Sequence, residues 1–323
     1  MGIEPPSWNG TRMVLNLSGS RYQTWIVDVK FRGRSRLIAC AVLETDRGLT
    51  LIDPGPSTTL HTLEDRLQPW GGIHAVQNIV LTHIHLDHAG GAGQLAASLP
   101  DAKIYVHPIG VHHLVNPERL IQSARRIYGD RMDQLWGEIL SDPERQVHAV
   151  EDGDLVDVGG RRLRACYTPG HASHHIAWLE DAAKLAFVGD AAGMRIQGSD
   201  YIIPVAPPPD IDLILWEASL QRLQKEEMSK LFLTHFGVVE NVDKHLSEMS
   251  RRLHFWAHAV QQSLNDNSES DALRAKAFHA SEMRQMRSLV ISEFQEPYNY
   301  MGQPSESWYG LARYWRKRGA VRQ

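Results

Sequence analysis

The segment Thr82-His83-Ile84-His85-Leu86-Asp87-His88 follows directly on the apolar run 78–81. Four ligand-type side chains fall within six residues, where a strand ends and the chain turns toward a helix. Alternation along extended backbone puts His83 and His85 on the same side, so both can converge on one ion. Asp87 and His88 follow in the turn and can face a second ion beside the first. Three further stretches repeat the arrangement: Thr168-Pro169-Gly170-His171, Phe187-Val188-Gly189-Asp190 and Leu233-Thr234-His235-Phe236-Gly237. Each carries a ligand-type residue just beyond a β-run, as it must if one edge of a sandwich gathers them.

The rest of the chain suits such an edge. Apolar runs with strand character, bounded by Gly, Pro, Asp or Asn, are predicted at 13–17, 24–30, 37–43, 48–52, 78–82, 103–106, 162–168, 175–179, 185–188 and 231–234. Helical patterns lie between them at 58–67, 89–99, 117–127, 132–140 and 212–226. Mixed strand and helix in this order predicts an α/β sandwich. From about 242 the character changes to helical periodicity without strands, with helices expected at 242–264, 271–293 and 305–318 and a polar linker at 265–270. The expected division is therefore a domain over 1–240 and an α-helical extension over 241–323, packed on it as a lid or a dimer element.

Taken together, these motifs resemble those of the metallo-β-lactamase superfamily over about residues 13–237, matching at Asp53, the His83 to His88 cluster, His171, Asp190 and His235. The resemblance implies a four-layer αββα sandwich with two divalent metal ions in a groove at one edge. It implies that His83, His85 and His171 bind the first ion, that Asp87, His88 and His235 bind the second, and that Asp190 bridges them. Asp53, in Leu51-Ile52-Asp53-Pro54-Gly55, would orient a ligand without touching metal. Imidazole-rich sites with mixed nitrogen and oxygen donors suit zinc, and iron or manganese also fits. Water activated between the ions would attack the substrate, with Asp87 and Asp190 as the catalytic carboxylates.

Departures narrow the branch. Redox di-iron relatives need a Glu where His85 stands, and true β-lactamases typically lack an aspartate at the position of Asp190. Lactonases usually place a tyrosine soon after the bridging aspartate, where this chain has Ala191-Ala192-Gly193-Met194-Arg195. Tyr201 is the nearest later substitute, and Arg195 is a candidate for holding a substrate carboxylate. A small-molecule thioester or lactone is the expected substrate, since a thiolate leaves with little protonation and an alkoxide can take a proton from Asp87. The alternatives are a phosphodiesterase or nuclease of the same superfamily, and a metal-bound regulatory or binding protein with little turnover.

A formal charge of −4 shows no basic excess, which argues against a nucleic-acid partner. Two cysteines, Cys40 and Cys166, each inside an apolar run, suit a reducing cytoplasm better than a disulfide framework. Residues 1–10 carry no apolar core of a secretory signal, and no run approaches the ~20 residues that span a bilayer. A cytoplasmic protein without membrane contact is expected, with exposed apolar helices in the tail suited to a homodimer.

Overall fold

The computed structural model describes residues 12–15, 21–196, 198–265, 269–300 and 302–319. The expected strand 13–17 and linker 265–270 lie partly outside the described residues, and segment 1–10 lies wholly outside them. The chain forms two compact units, 1–167 with 176–187 and 168–175 with 188–323. The expected boundary at 240/241 falls inside the second unit.

The first unit is built on a seven-stranded sheet in the order β1 (Arg12–Leu15), β2 (Thr24–Asp28), β3 (Ala39–Thr45), β4 (Gly48–Ile52), β5 (Val76–Val80), β6 (Lys103–Val106) and β7 (Val147–Ala149). Neighbours from β1 to β4 run antiparallel, and from β4 to β7 parallel. Parallel neighbours need crossovers, and helices supply them. They are α1 (Leu60–Leu67), then α2 (Leu86–Ala89) and α3 (Ala92–Ser98), then α4 (Pro108–Val115), α5 (Glu118–Tyr128) and α6 (Met132–Trp136). The register Ile52↔Val80 brings the carboxyl ends of β4 and β5 level, so Asp53 and the residues after Val80 emerge side by side. Helix α6 stops four residues short of the expected 140 because Gly137 takes a left-handed φ of +69°. A Cβ there would also stand 2.4 Å from Ser57 Oγ.

An antiparallel meander completes this unit: β8 (Leu155–Asp157), β9 (Arg162–Tyr167), β10 (Ile176–Glu180) and β11 (Leu185–Phe187). Its apolar residues Leu163, Ala165, Ile176 and Trp178 are buried, as are Leu51, Ile52, Ile79 and Val80 of the first sheet. Trp178 Nε1 donates to the Leu81 carbonyl at 2.9 Å, and Ile176 N to the Thr82 carbonyl at 2.7 Å. The backbone leading into the His83 to His88 cluster is thereby pinned from β10.

The second unit contains α7 (Leu213–Lys225), the hairpin β12 (Lys230–Leu233) and β13 (Gly237–Val239), and four C-terminal helices. These are α8 (Val242–Ser263), α9 (Asp271–Leu289), α10 (Ser292–Tyr300) and α11 (Pro304–Lys317). Asp212 caps α7, its Oδ1 accepting from Ile214 N at 3.0 Å and Leu215 N at 3.1 Å. The helix expected over 271–293 breaks at the β-branched pair Val290-Ile291, where Val290 is extended at φ −103° and ψ 128°. Trp256, Met286, Tyr298 and Trp308 of these helices are fully buried.

Among the described residues the strands fall into two sheets, of seven and six strands. With the helices and the C-terminal helical region, this is the mixed α/β architecture expected from the sequence. No helix of the described residues is long and apolar enough to cross a membrane.

Candidate metal centre

In the first unit the ligand-type residues stand on the loop that leaves β5 and on the short helix α2. The loop and helix are held by Asp53. This residue adopts a left-handed φ of +51°, which costs a non-glycine residue about 1 kcal/mol. Four hydrogen bonds hold it there. Its N–H donates to the Val80 carbonyl at 3.1 Å. Its carboxylate accepts from Thr82 N at 2.8 Å, Thr82 Oγ1 at 2.7 Å and His88 Nδ1 at 2.8 Å.

These bonds set the tautomers. His88 donates from Nδ1 to a carboxylate, which leaves Nε2 as its lone-pair nitrogen. Thr82 spends its hydroxyl proton on Asp53, so its oxygen accepts from His83 Nδ1 at 3.0 Å, and His83 too presents Nε2 as a lone pair. Two pairs of donor atoms result. His83 Nε2 lies 3.0 Å from His85 Nδ1, and His88 Nε2 lies 3.9 Å from Asp87 Oδ2. His83 and His88 are fully buried, with ring centroids 4.0 Å apart, while the Asp87 side chain keeps 18% exposure.

In the second unit His171, Asp190 and His235 form the other cluster, all buried. His171 Nδ1 donates to the Val205 carbonyl at 2.6 Å, which fixes Nε2 as its lone-pair nitrogen. That Nε2 lies 3.5 Å from Asp190 Oδ2, while His235 Nε2 lies 3.5 Å from Asp190 Oδ1. The two oxygens of one carboxylate thus face two different imidazoles.

The loop carrying His171 is moulded against α7. Gly170 has φ +138°, and a Cβ on it would stand 2.3 Å from Trp216 Cα. Trp216 in turn packs edge-on to the His171 ring at 5.6 Å and donates from Nε1 to the Ala191 carbonyl at 2.7 Å. Only glycine allows this approach.

The His and Asp residues of the two clusters are among those whose ligand atoms lie close enough together to hold a metal ion. Two atoms bound to one zinc at about 2.0–2.2 Å stand roughly 3.4 Å apart in tetrahedral geometry and at most about 4.4 Å apart in any geometry. The separations of 3.0, 3.9, 3.5 and 3.5 Å all fall within that limit. The donor set, three histidines of fixed tautomer with carboxylates beside them, is the one divalent borderline ions take.

Two histidines that sequence reading passed over serve these clusters. His175 accepts from Asp190 N–H at Nε2 (3.3 Å) and donates from Nδ1 to Thr168 Oγ1 (2.8 Å), so it anchors the Asp190 backbone. His245 donates from Nε2 to the Ala192 carbonyl at 2.9 Å, and burial lowers its pKa to about 4, keeping it neutral. Their position next to Gly-His and Gly-Asp motifs was the only available signal for the first; nothing local marked the second.

Arg195 and Tyr201 are both engaged by protein groups. Arg195 Nε donates to the Ser199 carbonyl at 2.6 Å, and its guanidinium pairs with Asp200 at 2.9 Å. Tyr201 is 6% exposed and accepts at its hydroxyl from Arg252 at 2.8 Å. Burial raises the pKa of that hydroxyl, which therefore stays protonated.

Replacing Asp53 with Ala should weaken metal binding by about 10–100-fold, because His88 and Thr82 lose their common acceptor. Competition against a chromogenic chelator checks this, and wild-type affinity in a folded variant would deny Asp53 its orienting role.

The Metallo-beta-lactamase superfamily model matches residues 34–235. A metallo-beta-lactamase fold-containing protein, ST1585 from Sulfurisphaera tokodaii, is 34% identical over 176 residues, 53% of this chain and 65% of that protein. Its crystal structure superposes with a TM-score of 0.60 and 25% identity, covering 85% of this chain and 93% of that one. The structure of TTHA1429 from Thermus thermophilus shares the fold, with a TM-score of 0.66 at 20% identity, covering 87% of this chain and 89% of that one. An atrochrysone carboxyl ACP thioesterase from Aspergillus fumigatus is 25% identical over 174 residues, 54% of this chain and 42% of that protein. The chain thus spans less than two thirds of the length of these two sequence relatives. With two sheets and helices, and with a family match over well more than half its length, the chain belongs to the metallo-β-lactamase superfamily.

Proposed function

We propose that this protein is a dinuclear metal-dependent hydrolase of a small-molecule thioester or lactone. The observation that carries the reading is Asp190, whose two oxygens each stand 3.5 Å from a different imidazole. In this reading His83, His85 and His171 hold one ion, Asp87, His88 and His235 hold the other, and Asp190 is shared. Zinc is the ion the donor set favours, with iron or manganese as the alternatives.

Such ions, when bound, lower the pKa of water toward neutrality and polarise a carbonyl oxygen. The chain's own residues do the rest. Asp53, Thr82 and Val205 hold three imidazoles in the tautomers that present Nε2. His175 holds the backbone of Asp190, from which its carboxylate reaches His171 and His235. Asp87, at 18% exposure, is the least buried carboxylate of the set and the one placed to pass a proton to a leaving group.

A thiolate leaves without that proton, whereas an alkoxide needs it. Likeness to a protein described as an acyl-carrier thioesterase supports the thioester side. Turnover on matched panels tests this: thioester or lactone hydrolysis is expected, and a phosphodiester turned over faster than both would overturn the reading. Asp87→Asn, compared at matched metal content, should lower lactone turnover by about 100-fold or more while lowering thioester turnover less. Equal losses would remove Asp87 from proton transfer.

A further inference from the structure

We infer that helix α11 clamps the backbone that orients His171, which makes Ser307 a positioning residue for the metal-binding cluster of the second unit. The inference deepens the proposed function and rests on that reading for its purpose. His171 takes its tautomer from one acceptor, the Val205 carbonyl, at 2.6 Å. That carbonyl belongs to a strap, the described residues of 194–206, which have little regular structure; an isolated bridge pairs Met194 with Ile203.

Ser307 grips the strap on both sides of Val205. Its Oγ accepts from Ala206 N–H at 3.1 Å and faces the Pro204 carbonyl at 3.4 Å. Ser307 is 2% exposed, so both contacts are shielded from water. One turn further along α11, Gly310 lies against the same segment: an added Cβ would stand 2.1 Å from the Ala206 carbonyl oxygen. The peptide groups around Val205 are therefore held by the Ser307 hydroxyl and packed against the helix backbone at Gly310.

The clamp has a rigid mount. Trp308 Nε1 donates to Ser263 Oγ at 2.9 Å and Trp315 Nε1 to the Ala257 carbonyl at 2.8 Å, tying α11 to α8. The other end of the strap is fixed as well. Tyr298 Oη accepts from Ile196 N–H at 2.9 Å and donates to the Tyr201 carbonyl at 2.6 Å, while Arg252 Nε donates to the Ile202 carbonyl at 3.1 Å. The strap also pairs with the backbone of His235, through Arg195 N to the His235 carbonyl at 2.8 Å. The C-terminal helices thus reach two ligand-type histidines through one segment, and the role they fill is that of a buttress.

The test uses the full chain with Ser307→Ala, and Gly310→Ala as a second way of moving the same segment. Two readouts are taken on folded protein: the imidazole Nδ1–H resonance of His171 by NMR without added metal, and zinc affinity by chelator competition. Ser307→Ala should lose the slowly exchanging N–H signal and bind one ion about tenfold more weakly, with the other affinity unchanged. Should Gly310→Ala fail to fold, Ser307→Ala alone decides. Wild-type signal and wild-type affinities in the folded variants would overturn the clamp. If the wild-type chain binds no zinc yet the N–H signal responds as described, the clamp stands and the dinuclear reading falls.

Discussion

Asp190→Ala is expected to lose one or both ions and with them essentially all hydrolysis. The two oxygens of Asp190 face two different imidazoles, at 3.5 Å each. In the proposed dinuclear reading, removing it would take a shared ligand from both positions and withdraw the negative charge that offsets two dications. Groups that merely orient ligands cost about 10–100-fold in metal affinity or activity when removed, and a shared ligand should exceed that range. Asp190→Asn keeps the shape and one oxygen but not the charge, so it should fall between wild type and Ala. Metal content and turnover measured on the same preparations check the order. A folded Asp190→Ala protein with wild-type metal content and activity would remove the shared-carboxylate reading.

Arg252→Ala is expected to produce the largest loss of stability. Arg252 and Glu282 form a buried ion pair at 2.7 Å, with side chains 3% and 4% exposed. Trp256 Nε1 also donates to Glu282 at 2.7 Å, and the guanidinium lies 4.6 Å from the centre of the Tyr201 ring. Truncating the arginine leaves a carboxylate in the core without its counter-charge, a change that costs about 3–5 kcal/mol in comparable buried pairs. A drop in Tm of roughly ten degrees should follow for a unit of this size. The double replacement Arg252→Met with Glu282→Leu should cost less than Arg252→Ala alone, because no charge is then stranded. Denaturant melts of the three proteins check this, and a double variant less stable than the single one would refute the explanation.

The candidate ligand residues could be picked out in the sequence because their signals are local. His83, His85, Asp87 and His88 lie within six residues, and His171, Asp190 and His235 each follow an apolar run and a Gly or Thr. Asp53 could be read too, as a carboxylate at the end of β4. The structure adds the register that sets it beside Thr82. What could not be read depends on partners distant in the chain. Tyr201 reads in the sequence as a pocket candidate, and its hydroxyl bonds with Arg252 and Glu282, some fifty and eighty residues later. Arg195 was committed by Asp200 and by the strap's own backbone. His175 acts through a backbone N–H, which leaves no mark in a pattern of side chains. The break between α9 and α10 was hidden because Val290 and Ile291 continue an apolar periodicity while favouring extended backbone.

The most direct test of the account is the metal content of the purified chain, determined by elemental analysis before and after chelation and reloading with zinc. About two ions per chain, removed by chelator and regained on reloading, are expected. A chain that neither carries metal nor takes it up would contradict the central claim.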